Sequence, residues 1–224
     1  MPGDGLVGVD EAGKGPVLGS MFAAAVRVPD RAVLPEGLDD SKRLSPDRRE
    51  SLARKLREHP EIAVGVYEVT VERIDDPGTD MNRLTVTAHA SAAGQVLADG
   101  DRILADACDT NEARFADRLG RQLDSDAAVR AEHATLDAEH GADETHAVVA
   151  AASIVAKVRR DAHVAELADR HGELGSGYPS DPTTKVFLEA YVDEHGTVPP
   201  CARESWSTCE KLLAAREQAG LGEF

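Results

Sequence analysis

The sequence predicts an α/β fold: one five-stranded sheet flanked by helices, followed by a C-terminal helical region. Three observations carry this expectation. The 224 residues hold five short apolar runs of strand character. Three of these runs come early and the later ones alternate with helical segments, an order that suits an α/β layout without internal repeats. The first helical segment opens on a capping residue, and a chain of this length buries a full core.

Each element has its own signal. Residues 5–10 and 19–28 read as the first two strands. Ser45 as N-cap, with Pro46 at the first helical position, starts a helix over 46–58. Ile62, Val64 and Val66 alternate within a third strand over 62–71. A helix over 81–97 leads to a fourth strand at 102–106, and one over 111–119 to a fifth at 126–131. A long helix over 147–171 follows, then a loop at 172–181 and helices near 182–195 and 206–219. The short link predicts that residues 182–224 pack against the core of residues 1–181 and do not form a free second domain.

The run Gly8-Val9-Asp10-Glu11-Ala12-Gly13-Lys14-Gly15-Pro16 sets two adjacent carboxylates at the end of the first strand, with a glycine-flanked lysine after them. That combination suggests metal beside phosphate. Successive strand residues point to opposite faces, so Asp10 and Glu11 share one ion only if the strand stops there, and Gly13 and Gly15 are expected to stop it. Alone, the run reads first as a solvated acidic turn. Three later segments supply what a hydrolytic metal site still needs: Asp106 after the apolar run 103–105, Asp143 before the apolar helix, and Gly175-Ser176-Gly177-Tyr178-Pro179-Ser180-Asp181.

Together these motifs resemble type 2 ribonuclease H, the archaeal members most of all. The resemblance runs in family order through Asp10 to Gly15, Asp40-Ser41-Lys42-Arg43-Leu44, Asp106, Asp143 with Ala151 to Lys157, and Gly175 to Asp181. It implies a ribonuclease H-like fold with a mixed sheet, and a metal-dependent endoribonuclease. Such an enzyme cuts RNA–DNA hybrids, and duplex DNA on the 5′ side of a single embedded ribonucleotide, leaving a 3′-hydroxyl and a 5′-phosphate. By the same resemblance Asp10, Glu11, Asp106 and Asp143 are the catalytic metal ligands, and Mg²⁺ or Mn²⁺ is the cofactor. Hard cations prefer such oxygen donors, and two ions would divide the work on attacking water and leaving oxygen. Gly13, Lys14, Gly15 and Tyr178 match the positions that read the sugar, whose 2′-hydroxyl distinguishes RNA from DNA. Lys42, Ser153 and Lys157 match positions near the substrate, with Ser153 and Lys157 open to either packing or phosphate contact. The family often carries Arg where this chain has Lys14. A backbone role survives that change and a guanidinium fork does not.

Competing readings have less support. A different ribonuclease H-like nuclease, such as a junction resolvase, would share the carboxylates without the Gly-Lys-Gly and Gly-Tyr-Pro segments. In a non-catalytic binding module, four clustered negative charges would repel phosphate. Gly13-Lys14-Gly15 lacks P-loop spacing and misses the dinucleotide fingerprint. His133, His140 and His146 straddle Asp143 without zinc-site spacing and read as solvated, while Glu144 and Asp109 stay open as replacements for a neighbouring ligand. Cysteines at 108, 201 and 209 form no C-x-x-C pair, which argues against zinc and a disulfide framework. No apolar stretch is long enough for a bilayer and no basic leader is present, so the chain reads as a cytosolic monomer without membrane contact.

With 41 acidic against 25 basic residues the net charge is −16, the wrong sign for a protein that binds a polyanion. The acidic residues are spread along the whole chain, and only 6 of the basic residues are Lys against 19 Arg. This composition suits a salt-saturated cytoplasm, where long-range repulsion is screened and net charge reports on solubility. At the C-terminus, Gln218, Leu221 and Phe224 resemble a sliding-clamp binding motif that lacks its second aromatic residue; the other reading of residues 218–224 is a frayed tail.

Overall fold

The structure, a computed structural model, describes residues 5–38, 44–125 and 134–221. Five strands form one mixed sheet in the order β3-β2-β1-β4-β5. These are β1 (Leu6–Ala12), β2 (Met21–Val28), β3 (Ala63–Val69), β4 (Arg102–Asp106) and β5 (Thr135–Glu139). The first three pair antiparallel, and β1, β4 and β5 run parallel. Central strands buried on both faces read as continuous apolar runs, and β2 is such a run from Met21 to Val26.

Helices cover both faces. On one lie α1 (Pro46–Glu58) and α6 (Ala147–His171), packing Leu52, Leu56, Val149, Ala151, Ala152 and Ile154 against Ala24, Val26 and Leu104. The alanine run of α6 lets its backbone lie close to β1, and a Cβ on Gly8 would stand 2.2 Å from the Val148 carbonyl oxygen. Gly8 is therefore fixed by close approach. On the other face α3 (Met81–Gly94) and α4 (Glu112–Ser125) bury Leu84, Val86, Ala88, Phe115 and Leu119 against Val7, Val9, Ala23 and Ile103. Short helices α2 (Val71–Ile74) and α5 (Ala142–Thr145) fill connections. The last helices, α7 (Pro182–His195) and α8 (Ser207–Leu221), share a third cluster with Val17, Leu18 and Leu167, built on Leu174, Leu188, Cys201 and Cys209.

Caps set the helix starts that the sequence predicts. Ser45 accepts from the Arg48 amide, Asp80 from Asn82 and Arg83, and Asp181 from Thr183. The structure departs from the expected boundaries where packing outweighs local signals. Helix α3 ends at Gly94 and not at 97, whereas α4 runs on to Ser125 and not 119 because Phe115, Leu119 and Leu123 make one buried stripe. The fifth strand lies at Thr135–Glu139, where Leu136 and Ala138 alternate with polar residues at the sheet edge; the strand expected at 126–131 falls outside the described residues.

Candidate active site

Strand β1 does not stop at Asp10. It continues through Ala12, which pairs with Phe22, so the glycines end the strand two residues later than the sequence reading places its end. Asp10 and Glu11 therefore leave opposite faces of the sheet. Because Val9 pairs with Ala105 across the parallel β1–β4 ladder, Asp10 and Asp106 follow as neighbours at the carboxyl ends of both strands. This is the edge where open α/β sheets bind ligands. The Asp106 carboxylate accepts from the Ala142 amide at 2.8 Å, which draws α5 and its Asp143 over the end of β4. On α6, Lys157 Nζ donates to Ser153 Oγ at 2.7 Å and lies 4.0 Å from Asp143 Oδ2. Asp10 accepts from Ser153 and from the Glu11 amide.

The four carboxylates act on one another. Burial pushes Asp10 well above the usual carboxylate range, and the charges of Glu11 and Asp106 push it further. Asp106 is also raised, first by burial and then by Asp143 and Glu11, against the Ala142 hydrogen bond. Glu11 goes the other way. Burial works against its charge, but the hydrogen bond and charge of His89, with the Lys14 ammonium, more than offset this and lower it. Among the described residues no three His, Cys, Asp or Glu side chains converge into a coordination shell as they stand. The donor set nevertheless fits a hard divalent cation, being all oxygen with repulsion that such an ion relieves.

Beside the carboxylates lies a cavity of about 470 Å³ lined by Glu11, the Gly13-Lys14-Gly15 turn, Lys157, Arg160 and Tyr178. The Gly13 turn needs glycine, with φ of 93°. Tyr178 is 47% exposed, and a Cβ on Gly15 would touch its ring at 3.7 Å. The turn is held from behind. Fully buried Arg203 donates to the carbonyls of Gly13, Lys14 and Gly19 at 2.5, 2.9 and 2.9 Å, with its guanidinium over the Trp206 ring. In a planar trans peptide, C=O and the next N–H point in opposite directions. Tying back the Gly13 and Lys14 carbonyls thus turns the Lys14 and Gly15 amides away from Arg203. Arg160 joins Leu18 to Ser176, and the Gly177 carbonyl accepts from Val17 and Leu18, fixing the Tyr178 loop to the same turn. The Lys14 ammonium reaches Asn82 Oδ1 at 3.3 Å and the Cys108 carbonyl at 3.2 Å.

Other sequence candidates separate clearly. Asp109 is paired with Arg114 and Arg118, and Arg114, with the Thr110 amide and hydroxyl, holds its pKa down at about 2, so it is already engaged as a salt bridge. His140 bonds Glu112 and the Asp109 carbonyl, and His146 bonds Glu139. Lys42 and His133 lie outside the described residues. Gln218 is exposed on α8, which runs through Leu221 and so takes in two of the tail's three motif positions; Phe224 lies outside the described residues. Sequence reasoning missed His89, whose signal was a titratable residue in an alanine-rich helix face, and Arg203, whose carbonyl partners leave no sequence pattern.

Carboxylates at the ends of adjacent strands of a mixed sheet, beside a glycine turn and cationic side chains, define a nuclease of the ribonuclease H-like class. The sequence model of the ribonuclease HII family matches residues 7–209, and the chain belongs to that family. It is 58% identical over 217 residues to ribonuclease HII of Haloarcula marismortui, covering 97% of this chain and 99% of that one. Ribonuclease H2 from Pyrococcus horikoshii superposes with a TM-score of 0.83 at 36% identity, covering 96% of this chain and 99% of the other. The ribonuclease HII of a PCNA:RNase HII complex from Archaeoglobus fulgidus does so with 0.80 at 33%, covering 92% and 96%. The chain is accordingly a ribonuclease H, a hydrolase of RNA–DNA hybrids.

Proposed function

We propose that this chain also cuts duplex DNA on the 5′ side of a single embedded ribonucleotide, by two-metal hydrolysis leaving 3′-hydroxyl and 5′-phosphate. The observation that carries the reading is the juxtaposition of the neighbouring Asp10 and Asp106 carboxylates with a turn whose amides are set by carbonyls tied down behind it. Asp10, Glu11, Asp106 and Asp143 would hold Mg²⁺ or Mn²⁺, which supplies Lewis acidity and neutralises phosphate charge when bound. Ser153 and Lys157 orient Asp10 and Asp143 from α6. The Lys14 and Gly15 amides take the phosphate or 2′-hydroxyl, Tyr178 stacks on the adjoining sugar, and Lys42 contacts the backbone. Lys14 side-chain bonds to Asn82 and Cys108 favour the backbone role for the turn. Residues 1–181 carry the chemistry and 182–224 brace the recognition turn, in a protein that works as a cytoplasmic monomer.

Cleavage of a duplex with one ribonucleotide, against a long hybrid, tests this. Asp10→Asn or Asp106→Asn should lose at least about 10³-fold in rate with the fold intact, since each removes a ligand charge at constant volume. Tyr178→Ala should impair the single-ribonucleotide substrate more than the hybrid. Near-parent rates in the Asn variants at saturating Mg²⁺ would refute the metal assignment.

We further infer that Gln218, Leu221 and Phe224 dock on a sliding clamp. The Archaeoglobus relative, which was solved in complex with PCNA, supports this reading. A labelled peptide of residues 214–224 should bind the clamp saturably. Deleting residues 221–224 from the full chain should abolish clamp binding and leave cleavage in free solution unchanged; retained binding refutes it.

A further inference from the structure

We propose that His89 is the positioning residue that fixes the orientation of Glu11, an inference that rests on the reading of Glu11 as a metal ligand. The continuation of β1 to Ala12 is what creates the need. With Asp10 directed to the α6 face, Glu11 enters the α3 face, where it is largely buried and meets His89 of α3. A carboxylate there is costly unless it is paired and hydrogen-bonded. His89 meets that need: it is fully buried, and its Nε2 stands 2.7 Å from Glu11 Oε2. An ionised carboxylate only accepts, so Nε2–H donates.

Two features make this a directed contact and not loose packing. The imidazole stands edge-on to Phe115, with ring centroids 5.5 Å apart and planes at 87°, which fixes the ring. The helix that carries it is fixed in turn by the Asp80 cap at one end and by burial of Leu84, Thr85, Val86 and Ala92 along its length. The contact to Oε2 sets the plane of the carboxylate and so the direction in which its remaining lone pairs face a cation. Hydrogen-bond partners of ligating carboxylates typically govern metal affinity by 10- to 100-fold. His89 therefore acts through Glu11 on the affinity of the site and does not touch the reacting phosphate.

The test is Mn²⁺ binding to the free protein by calorimetry, beside the Mg²⁺ concentration for half-maximal cleavage, both in molar KCl. His89→Phe keeps the ring against Phe115 and removes the donor; it should fold and bind Mn²⁺ about 10-fold more weakly. His89→Gln, which can still donate to Glu11, should recover most of that loss, and His89→Asn, too short to reach, should not. The Gln and Asn pair carries the comparison if the Phe variant does not fold. In a Glu11→Gln background His89→Phe should cause no further loss, an outcome that a merely structural role would not give. Parent affinity in His89→Phe, or losses that add in the double variant, overturn the inference while leaving the metal reading intact. A parent protein that binds no Mn²⁺ overturns both.

Discussion

Asp10 shows most directly what a single side chain contributes here. It is buried, it lies between Glu11 and Asp106, and both effects raise its pKa. A raised value means that the folded state holds the proton more tightly than the unfolded chain does. This contribution to stability is complete below the ordinary aspartate range and is lost as pH rises through the raised value. Asp106 has the same sign, whereas Glu11, which is lowered, contributes above the ordinary range and loses that as pH falls. Without metal, then, Asp10→Asn should melt at a higher temperature than the parent at pH 7, and the two should converge near about pH 4. Each 1 kcal/mol recovered appears as roughly 2–4 °C in a chain of this size. Added Mg²⁺ should close the gap from the parent side, because it binds only the folded parent with its full ligand set. Calorimetric melts across pH, with and without Mg²⁺, measure this; coincident parent and Asp10→Asn curves at pH 7 in EDTA would remove the idea of mutual carboxylate strain.

Among elements, the informative contact is the one between the segment before α8 and the turn after β1. Arg203 satisfies three carbonyls, its own amide donates to the Val17 carbonyl, and Leu18 bridges Ala202. Leaving buried carbonyls unpaired costs about 1–3 kcal/mol apiece. Arg203→Gln should therefore lower the melting temperature by roughly 10 °C or more and raise KM for the single-ribonucleotide duplex more than for Mg²⁺. An unchanged KM would make Arg203 a purely structural brace. This contact also marks how far the sequence could be read. Helices α1, α6 and α7 follow from Ser45-Pro46, the apolar run from Ala147 and Asp181-Pro182, because caps and periodicity are local physics. The end of β1 is not local: pairing with Phe22 carries the ladder past Asp10 whatever the glycines prefer. Likewise β5 is a short edge strand whose place is set by its parallel partner β4. The four carboxylates were legible as strand-end and helix-start residues within a family pattern. His89 and Arg203 were not, since one looks like core and the other binds only main chain.

At the scale of the whole molecule, a net charge of −16 meets a polyanionic substrate. The cavity beside the carboxylates is less acidic than the surface around it, with Lys14, Lys157 and Arg160 against Glu11 and Asp161 in its lining. Screening acts on these two features unequally. The Debye length is about 8 Å at 0.15 M and roughly 3 Å at 1 M, so salt removes long-range repulsion between the acidic surface and the duplex and leaves contacts at hydrogen-bond distance largely intact. It also relieves self-repulsion, which destabilises a compact chain far from neutrality. Exposed pairs such as Arg102–Asp137 contribute little in either condition. Opposing this is counterion release, which weakens binding in proportion to the phosphates neutralised. With few lysines and an acidic surface, that slope is small, and relief of repulsion wins. Ellipticity and cleavage rate should therefore both rise from about 0.05 M KCl to beyond 1 M, with KM for the duplex nearly flat over the upper part of the series. A fully folded protein with its highest rate at about 0.05 M would show that the acidic surface serves something other than salt.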